Sequence, residues 1–374
     1  MSARIAVTWL GVTRPGLYVT YEERRGRKGR KEFRATRAAL TRYYNVRMAA
    51  DHARAFWIAS PGRGEIRAEP LPDPSADDVV VRALYSGISR GTEALVFQGR
   101  VPPSEYARMR APFQAGDFPG PVKYGYASVG RIERGPRDVQ DRHVFVLHPH
   151  QTRYVVPARA VHVLPDDVPP ARAVLTANLE TAINGVWDAR PQIGDRVAVI
   201  GAGTVGCLVA WLARGIRGCE VELVDVNPAR ASIARALGVG FATPDTASAN
   251  ADVVIHASGS PSGLQLALGV AGFEATIVEL SWYGSQHVSV ALGEAFHARR
   301  LTIKSSQVGA VASSQRPRWD TRRRMQLALK LLADPTVDAL ITGESDFDAL
   351  PELMTTLARE PGDTVCHRIR YPSP

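Results

Sequence analysis

The chain has 374 residues, of which 45% are hydrophobic and 22% charged, with 32 Gly and 26 Pro that follow no period. This composition excludes fibrous and disordered classes, and the length predicts two globular domains. The formal net charge of +9 lies in a tail: residues 1–47 hold 12 Lys/Arg and three Asp/Glu, whereas the remainder carries 34 of each sign. A neutral body gives no electrostatic reason to expect a nucleic-acid partner.

The basic segment at the amino end, residues 21–47, has few aliphatic side chains to bury. Burial there does not offset the entropy of ordering, so we expect residues 1–47 to be a disordered basic extension. Two alternatives stay open for the same charge run. It is an arm for nucleic acid or a membrane surface, or it is upstream sequence ahead of a working start at Met48.

Cysteine use indicates the compartment. Cys207, Cys219 and Cys366 are an odd, widely spaced set with no CxxC pair, which favours a reducing, cytoplasmic location. The longest uncharged apolar run, residues 197–213, contains glycines and is short for a membrane span. We therefore expect no membrane association.

Short apolar runs separated by Gly and Pro follow residue 48 and predict a small β-rich domain. These runs are residues 79–84, 127–132, 143–147 and 154–156. Between residues 196 and 280 apolar strands alternate with helical stretches, as in a parallel sheet covered on both faces. The predicted strands there are 196–200, 220–224, 252–255 and 275–280, and the predicted helices are 204–213, 228–237 and 262–270.

A glycine motif lies between the first predicted strand of this region and its helix. It reads Gly201-Ala-Gly203-Thr-Val-Gly206, and Thr204 and Val205 open the helix. The first glycine permits a tight turn, the second lets the backbone approach a diphosphate, and the third lets the helix pack on the strand. The helix amino end faces the anion. The motif therefore predicts a dinucleotide site.

A carboxylate follows at the spacing that such a site requires. Asp225 ends the next predicted strand, 19 residues after Gly206, where it would bind an adenosine ribose diol and repel a 2′-phosphate. We expect NAD as the cofactor, with NADP less favoured, although Arg230 lies close enough to blur this preference. The alternative is a glycine turn in an unliganded domain, with Asp225 capping the helix that Pro228 begins.

Several further stretches match one known family: Glu69-Pro-Leu-Pro-Asp-Pro, residues 78–88, Gly91-Thr-Glu93, residues 163–168, and Ala257-Ser-Gly-Ser-Pro-Ser. With these stretches the chain resembles the medium-chain dehydrogenase/reductase (zinc alcohol dehydrogenase) superfamily across residues 54–370. The resemblance implies an α/β fold with a Rossmann doubly wound parallel sheet, residues 173–307, inserted in a GroES-like β-rich catalytic domain, residues 48–172 plus 308–374. It also implies a cleft between the two and makes a homodimer plausible.

The metal ligands of that family are missing here. Ser89 or Arg90 stands where the family has a zinc-binding Cys, Tyr126 replaces the ligand His, and the later ligand position falls near Asn178. The four-cysteine structural loop is absent too, so we expect no zinc. The pattern SGISxGTE is most similar to the zinc-less branch that contains the bacteriochlorophyllide hydroxyethyl dehydrogenases.

One metal alternative remains in the sequence. His143, His148 and His150 lie within eight residues, and the last two would share a face on an extended strand. No carboxylate or thiolate stands at ligand spacing, so polar loop packing around Pro149 is the favoured interpretation.

Without zinc, the oxygen of a reacting carbonyl needs another source of stabilisation, and a positioned proton donor supplies it. The candidates are Tyr126, with Lys123 three residues earlier to lower its pKa, and Thr92, which matches the hydroxyl of the family's proton relay. Glu93 accepts protons or pairs with Arg90. The alternatives are a packed strand aromatic for Tyr126 and a turn cap for Thr92.

Three more residues are expected at the cofactor. The resemblance implies that Thr181 starts a helix near the nicotinamide and that Ser258 belongs to a loop of the cofactor site. Trp282 follows a predicted strand at the carboxyl edge, where ligands bind in open α/β sheets. Trp282 and Tyr283 line the nicotinamide pocket in this interpretation, or they are core or dimer-interface aromatics in the other.

Together these features predict an NAD(H)-dependent, zinc-independent oxidoreductase that transfers hydride between nicotinamide and a small alcohol or carbonyl substrate. Two alternatives stay open. One is a quinone or activated-alkene reductase, and the other is a dinucleotide-binding protein without turnover.

Overall fold

The computed structural model describes residues 19–20, 32–33, 52–360 and 362–372. The chain divides after His52 into two compact units. In the first, strands Val19–Thr20 (β1) and Glu32–Phe33 (β2) pair antiparallel. The predicted disorder of residues 1–47 otherwise concerns residues outside the described ranges.

Three sheets and their flanking helices build the second unit. Its strands are His52–Ser60 (β3), Arg63–Pro70 (β4), Asp78–Ile88 (β5), Ala115–Gly116 (β6), Val122–Lys123 (β7), Ser128–Arg134 (β8), His143–Val146 (β9), Arg153–Pro157 (β10), His162–Val163 (β11), Arg196–Ile200 (β12), Glu220–Val224 (β13), Gly240–Ala242 (β14), Ala251–His256 (β15), Ala271–Glu279 (β16), Thr302–Ser305 (β17), Ile341–Asp346 (β18) and Cys366–Arg370 (β19). Its α-helices are Arg90–Phe97 (α1), Thr176–Ala189 (α2), Thr204–Arg214 (α3), Ala231–Leu237 (α4), Pro261–Val270 (α5), Thr321–Leu331 (α6) and Leu350–Arg359 (α7).

A six-stranded sheet in the order β14-β13-β12-β15-β16-β17 is parallel throughout. Its central strands β12 and β15 contain continuous buried apolar runs because helices cover both faces, whereas the edge strand β17 is mostly exposed. The alternation of strand and helix gives the doubly wound fold predicted above. The strand order reverses between β12 and β15. Ligands of open α/β sheets bind in the crevice at the carboxyl ends of such strands.

Turn chemistry sets the helices of this sheet. Asn227 caps the 3₁₀ turn Pro228–Arg230 that leads into α4, and its side chain accepts a hydrogen bond from the Ala229 amide. Ser260 caps α5 by accepting from the Gly263 amide, with Pro261 at the first helical position. The predicted helix start at residue 204 is confirmed, whereas the stretch predicted to be helical from residue 228 begins as a 3₁₀ turn and becomes α-helical at Ala231.

The other two sheets are β-rich. One contains β11-β9-β8-β5-β19-β18 in that order, with β10 also paired to β5, and the other is β4-β3-β7-β6. Strand β19 runs antiparallel to β5, so the end of the chain lies beside the early strands. Helix α6, in contrast, packs on α2, and its Met325 and Leu329 share an apolar cluster with Val199 of the parallel sheet.

In the second unit's described residues, no helix has the length and apolarity to cross a bilayer.

Candidate functional site

The glycine motif forms the turn between β12 and α3, and each glycine is required for a different reason. Gly201 has φ +109°, and a Cβ on it would lie 2.6 Å from the Ser258 Cα. A Cβ on Gly206 would lie 1.8 Å from the Gly201 carbonyl oxygen. A Cβ on Gly203 would meet no heavy atom within 4 Å. The turn thus packs tightly at its two ends and is open to a ligand at its middle.

The amino end of α3 faces this open space. Gly203 is its cap residue, and the first turn, which starts with Thr204 and Val205, presents amide groups without intrahelical partners. The Thr204 hydroxyl donates to the Val365 carbonyl at 2.8 Å. Any contact of Thr204 with a ligand therefore falls to its backbone amide.

Asp225 follows β13 beside the same turn. Its carboxylate accepts hydrogen bonds from the Ala202 amide at 2.6 Å and the Asn227 amide at 2.9 Å. Because Asn227 caps the following turn, the alternative role of Asp225 as that helix's cap is not supported. The carboxylate is instead held at the carboxyl edge of the sheet, with acceptor capacity left for a sugar diol.

Arg230 has a different position from the one its sequence proximity suggested. Its side chain is 5% exposed, and its guanidinium donates to the carbonyls of Gly362, Asp363 and Thr364. These carbonyls take three of the four N–H groups on its terminal nitrogens, so these nitrogens have no free pair for a bidentate contact with a phosphate. Arg230 would contribute to a cofactor site through its positive charge and not through a bidentate hydrogen bond.

A second cation, which the sequence did not predict, lies near the turn. Arg90, the first residue of α1, is partly buried, and among the described residues its guanidinium has no hydrogen-bond or ion-pair partner. Burial and the positive charge of Arg230 lower its pKa, whereas Asp225 raises it. Two guanidinium groups therefore lie near Asp225. The only sequence signal was that Arg90 stands near the place of a missing metal ligand.

A buried polar network, also not predicted, lies at the carboxyl ends of β15 and β16. His256, which is 0% exposed, joins Glu279 Oε2 through Nδ1 at 2.7 Å and Ser258 Oγ through Nε2 at 2.6 Å. The Tyr283 hydroxyl donates to Glu279 at 3.1 Å, and the Ser281 amide donates to it at 2.7 Å. In the sequence, His256 and Glu279 are polar residues at the ends of apolar strands, and nothing in their spacing indicates that they meet.

The loop after β16 reaches the β-rich part of the chain. Trp282 is partly buried against the cluster that contains Leu95 of α1, and the Ser285 amide donates to the Arg100 carbonyl at 3.0 Å. Helix α2 approaches from the other side, since a Cβ on Gly185 would lie 3.0 Å from the Leu280 side chain. Thr181 of this helix donates its hydroxyl to the Ala177 carbonyl at 3.1 Å.

A cluster of hydroxyl groups forms the candidate catalytic site. The Ser89 and Thr92 hydroxyls lie close enough to the Tyr126 hydroxyl to lower its pKa, so the structure brings Tyr126 and Thr92 together. Burial, with the Glu93 charge, raises the pKa of Tyr126 to about 12 despite the opposing effect of these hydroxyls. The phenol is neutral across the physiological range.

Lys123 is not part of that cluster. Its ammonium donates to Glu69 at 2.6 Å and to Gln151 at 2.8 Å. The expectation that it lowers the pKa of Tyr126 is wrong, because the pKa is raised and Lys123 has partners of its own. Between the two residues Gly125 takes φ +133°, which redirects the backbone.

Glu93 is buried at 3% exposure and holds the loop that carries the hydroxyls. It accepts from the Ser89 amide at 2.8 Å and joins His150 Nε2 at 2.8 Å, and His150 Nδ1 joins Ser86 Oγ at 2.7 Å. No hydrogen bond or ion pair joins it to Arg90 in the described chain. Its partner is therefore His150.

The histidines of residues 143–150 are separated into different environments. His143 is exposed, His150 uses both ring nitrogens as above, and His148 stacks on Tyr154 with ring centroids 3.7 Å apart. Burial lowers the pKa of His148 to about 3. Over residues 52–360 and 362–372, no group of three His, Cys, Asp or Glu side chains is arranged to hold a metal ion.

Comparisons with known proteins concern the family and the fold of the chain. No protein-family profile matches the chain. It is 30% identical over 271 residues to the 2-desacetyl-2-hydroxyethyl bacteriochlorophyllide A dehydrogenase of Rhodobacter capsulatus, which covers 66% of this chain and 79% of that protein. It is 25% identical to the D-guloside 3-dehydrogenase of Escherichia coli K12, over 69% of this chain and 81% of that one.

Among solved structures, a short chain alcohol dehydrogenase from Escherichia coli CFT073 in complex with NADH has a TM-score of 0.68 and 18% identity. The match covers 86% of this chain and 99% of that chain. At this identity the comparison shows the fold.

Proposed function

The chain belongs to the medium-chain dehydrogenase/reductase family and is a dehydrogenase, and from that premise we propose that it transfers hydride between NAD(H) and a small alcohol or carbonyl substrate without zinc. The observation that carries the proposal is the hydroxyl cluster of Tyr126, Ser89 and Thr92, which stands where the family's metal ligands would be. A substrate oxygen that reaches this cluster meets proton donors.

The residues at the glycine turn fit a dinucleotide. The open space over Gly203 admits a diphosphate, and the amino end of α3 and the Arg90 guanidinium supply hydrogen-bond donors and positive charge to it. Asp225 favours NAD, because a carboxylate accepts from a ribose diol and repels a 2′-phosphate. The occupied guanidinium of Arg230 supports the same preference.

The donor set does not fit zinc. Catalytic zinc takes thiolate, imidazole or carboxylate ligands, whereas Tyr126, Ser89, Arg90 and Asn178 offer a phenol, a hydroxyl, a guanidinium and an amide at the family's ligand places. We therefore derive no step through a metal ion.

The mechanism follows from the protonation state of Tyr126. Bound NAD(H) supplies or accepts the hydride. As a carbonyl is reduced, negative charge develops on its oxygen, and the Tyr126 hydroxyl donates a proton there while Ser89 and Thr92 stabilise the tyrosinate through hydrogen bonds. A phenol with a raised pKa is protonated before the step, so it acts as an acid in reduction, whereas alcohol oxidation needs its tyrosinate, a strong base that is scarce at neutral pH.

This assignment predicts opposite pH behaviour in the two directions. Carbonyl reduction should be nearly flat from pH 6 to pH 9, because Tyr126 keeps its proton throughout that range. Alcohol oxidation needs the tyrosinate, so kcat/KM should rise about tenfold per pH unit below the pKa of about 12. Initial rates in both directions on one substrate pair check this. A bell-shaped oxidation profile centred near pH 7 would contradict it.

The proposal is tested by treating the protein with a chelator and then measuring the consumption of NADH and of NADPH with a panel of carbonyl compounds and quinones. Carbonyl-dependent NADH oxidation without added metal is the expected result. Activity with quinones alone would favour the alternative of a quinone reductase. Dinucleotide binding without turnover would favour the alternative of a binding protein without enzymatic activity.

We also propose a homodimer through the free edge of the parallel sheet. Edge strand β17 contains Ile303, 36% exposed, and the large apolar side chains Phe273 and Leu292 are 69% and 51% exposed. Unpaired edges and exposed apolar side chains mark surfaces for association. We expect Ile303→Lys to convert a dimer to a monomer in light scattering, whereas Ile193→Lys, at a site 81% exposed before β12, leaves the mass unchanged.

The protein's substrate is proposed to be a small molecule of the cytoplasm. Three cysteines without disulfides and a charge-neutral body support this location and argue against a nucleic-acid ligand for the main body.

A further inference from the structure

The buried network at the carboxyl ends of β15 and β16 has the hydrogen-bond order of a proton relay, and the mechanism above does not use it. Glu279 accepts from His256 Nδ1, and His256 Nε2 lies 2.6 Å from Ser258 Oγ. An ionised carboxylate only accepts, so Nδ1 donates to it, and in the neutral imidazole Nε2 then presents its lone pair to the serine. The Ser260 amide donates to Ser258 Oγ at 3.2 Å. The serine proton therefore points at His256.

Charge supports this arrangement. Burial raises the pKa of Glu279, but its hydrogen bonds with His256 and Ser281 outweigh burial and hold the pKa below its usual value. The carboxylate stays ionised and fixes the tautomer of His256. A serine whose proton is drawn toward an imidazole is a stronger hydrogen-bond acceptor than an isolated hydroxyl.

A glycine makes room for the relay. Gly263 lies inside the first turn of α5, where glycine costs about 1 kcal/mol relative to alanine. A Cβ on Gly263 would lie 2.2 Å from Ser258 Oγ and 2.7 Å from His256 Nε2. The contact between Ser258 and His256 therefore depends on the missing side chain.

The relay faces the cofactor crevice. Ser258 is exposed, whereas His256 is fully buried, so the serine is the residue that the relay presents to a ligand. Its Cα packs against Gly201 of the glycine turn. With the adenosine half held by Asp225 after β13, a dinucleotide that crosses the turn extends toward β15 and places its reactive half at Ser258.

We propose that Ser258, His256 and Glu279 form a relay that binds a ribose hydroxyl of the nicotinamide half, with Ser258 in contact with the sugar and His256 and Glu279 as positioning residues. The proposal rests on the proposed function. It adds a second sugar contact, on the opposite side of the turn from Asp225.

Calorimetry of NADH and of AMP binding to the full chain distinguishes contacts with the nicotinamide half of the cofactor from contacts with its adenosine half. We expect Ser258→Ala to weaken NADH binding about tenfold, the effect of about 1.4 kcal/mol from one strong hydrogen bond. AMP lacks the nicotinamide ribose, so its affinity should be unchanged. Ser258→Thr keeps the hydroxyl at an exposed position and should restore NADH binding.

Two glycines of α5 provide matched controls for the positioning role. Gly263→Ala should weaken NADH binding without altering AMP binding, because its Cβ displaces Ser258 and His256. Gly269→Ala, on the same helix with no heavy atom within 4 Å of the added Cβ, should bind both ligands normally. Thermal denaturation of each variant checks folding.

The outcomes distinguish the two proposals. If the unmodified chain binds AMP and NADH but Ser258→Ala and Gly263→Ala bind NADH with unchanged affinity, the relay is wrong and the proposed function stands. If the unmodified chain binds neither ligand, the proposed function fails and the relay fails with it.

Discussion

Replacement of Gly203 by alanine is expected to weaken NADH binding by at least about a hundredfold and leave the fold intact. Gly203 has φ −77° and ψ −179°, an extended conformation that alanine adopts without strain. The added methyl group would enter the space over the turn, where no protein atom lies within 4 Å. It therefore costs the folded protein little, but it keeps a diphosphate away from the amide groups of α3.

The size of this effect follows from the hydrogen bonds that the methyl group prevents. Charge-assisted hydrogen bonds contribute about 1.5–3 kcal/mol each, so the absence of two of them weakens binding roughly 10²- to 10⁴-fold. Calorimetry with NADH measures this change in affinity, and thermal denaturation should show a melting temperature near that of the unmodified chain.

Gly206→Ala is the contrasting variant. Its Cβ would lie 1.8 Å from the Gly201 carbonyl oxygen, so helix and strand must move apart, and the melting temperature should fall together with binding. A Gly203→Ala variant that binds NADH normally would place the diphosphate elsewhere.

Tyr126→Phe should lower kcat for carbonyl reduction by about 10²- to 10⁴-fold, the usual contribution of a positioned proton donor. The ring and its packing remain and only the hydroxyl is removed, so NADH affinity should be unchanged. Thr92→Val, which removes one of the two hydroxyls that support Tyr126, should have a smaller effect in the same direction.

Tyr124→Phe is the matched control for this variant. The Tyr124 ring lies edge-on to Tyr126 with centroids 6.0 Å apart, and it is buried in the β-rich core. Removal of its hydroxyl should leave kcat unchanged. Reduction by Tyr126→Phe at the rate of the unmodified protein would assign the proton donor to another group.

The sequence predicted those parts of the site that a short stretch of chain determines. The glycine turn, the helix opened by Thr204 and the carboxylate Asp225 all follow from local spacing, and each stands at the predicted place. Four strands of the parallel sheet, β12, β13, β15 and β16, were predicted to within a few residues from their apolar runs, whereas the edge strands β14 and β17 were not predicted.

The remaining parts depend on which strands are neighbours, and local spacing does not contain that information. His256 and Glu279 are 23 residues apart and meet because β15 and β16 pair in register. Arg90 belongs to a different part of the chain from Asp225. Lys123 and Tyr126, in contrast, are close in sequence but their side chains do not meet. They are three residues apart, and Gly125 between them has a positive φ that redirects the backbone.

Residues 362–365 accept hydrogen bonds from Arg230 and Thr204, and these bonds connect the glycine-turn region to the β-rich part of the chain. These residues lead directly into β19, which pairs with β5. Strand β5 pairs in turn with β8, which starts two residues after Tyr126. Residues 362–370 thus connect the helix opened by Thr204 to strand β5 of the β-rich sheet. We therefore expect a movement of that helix to be transmitted to β5 through these residues, and the affinity for the second reactant to differ between the dinucleotide-free and the dinucleotide-bound protein.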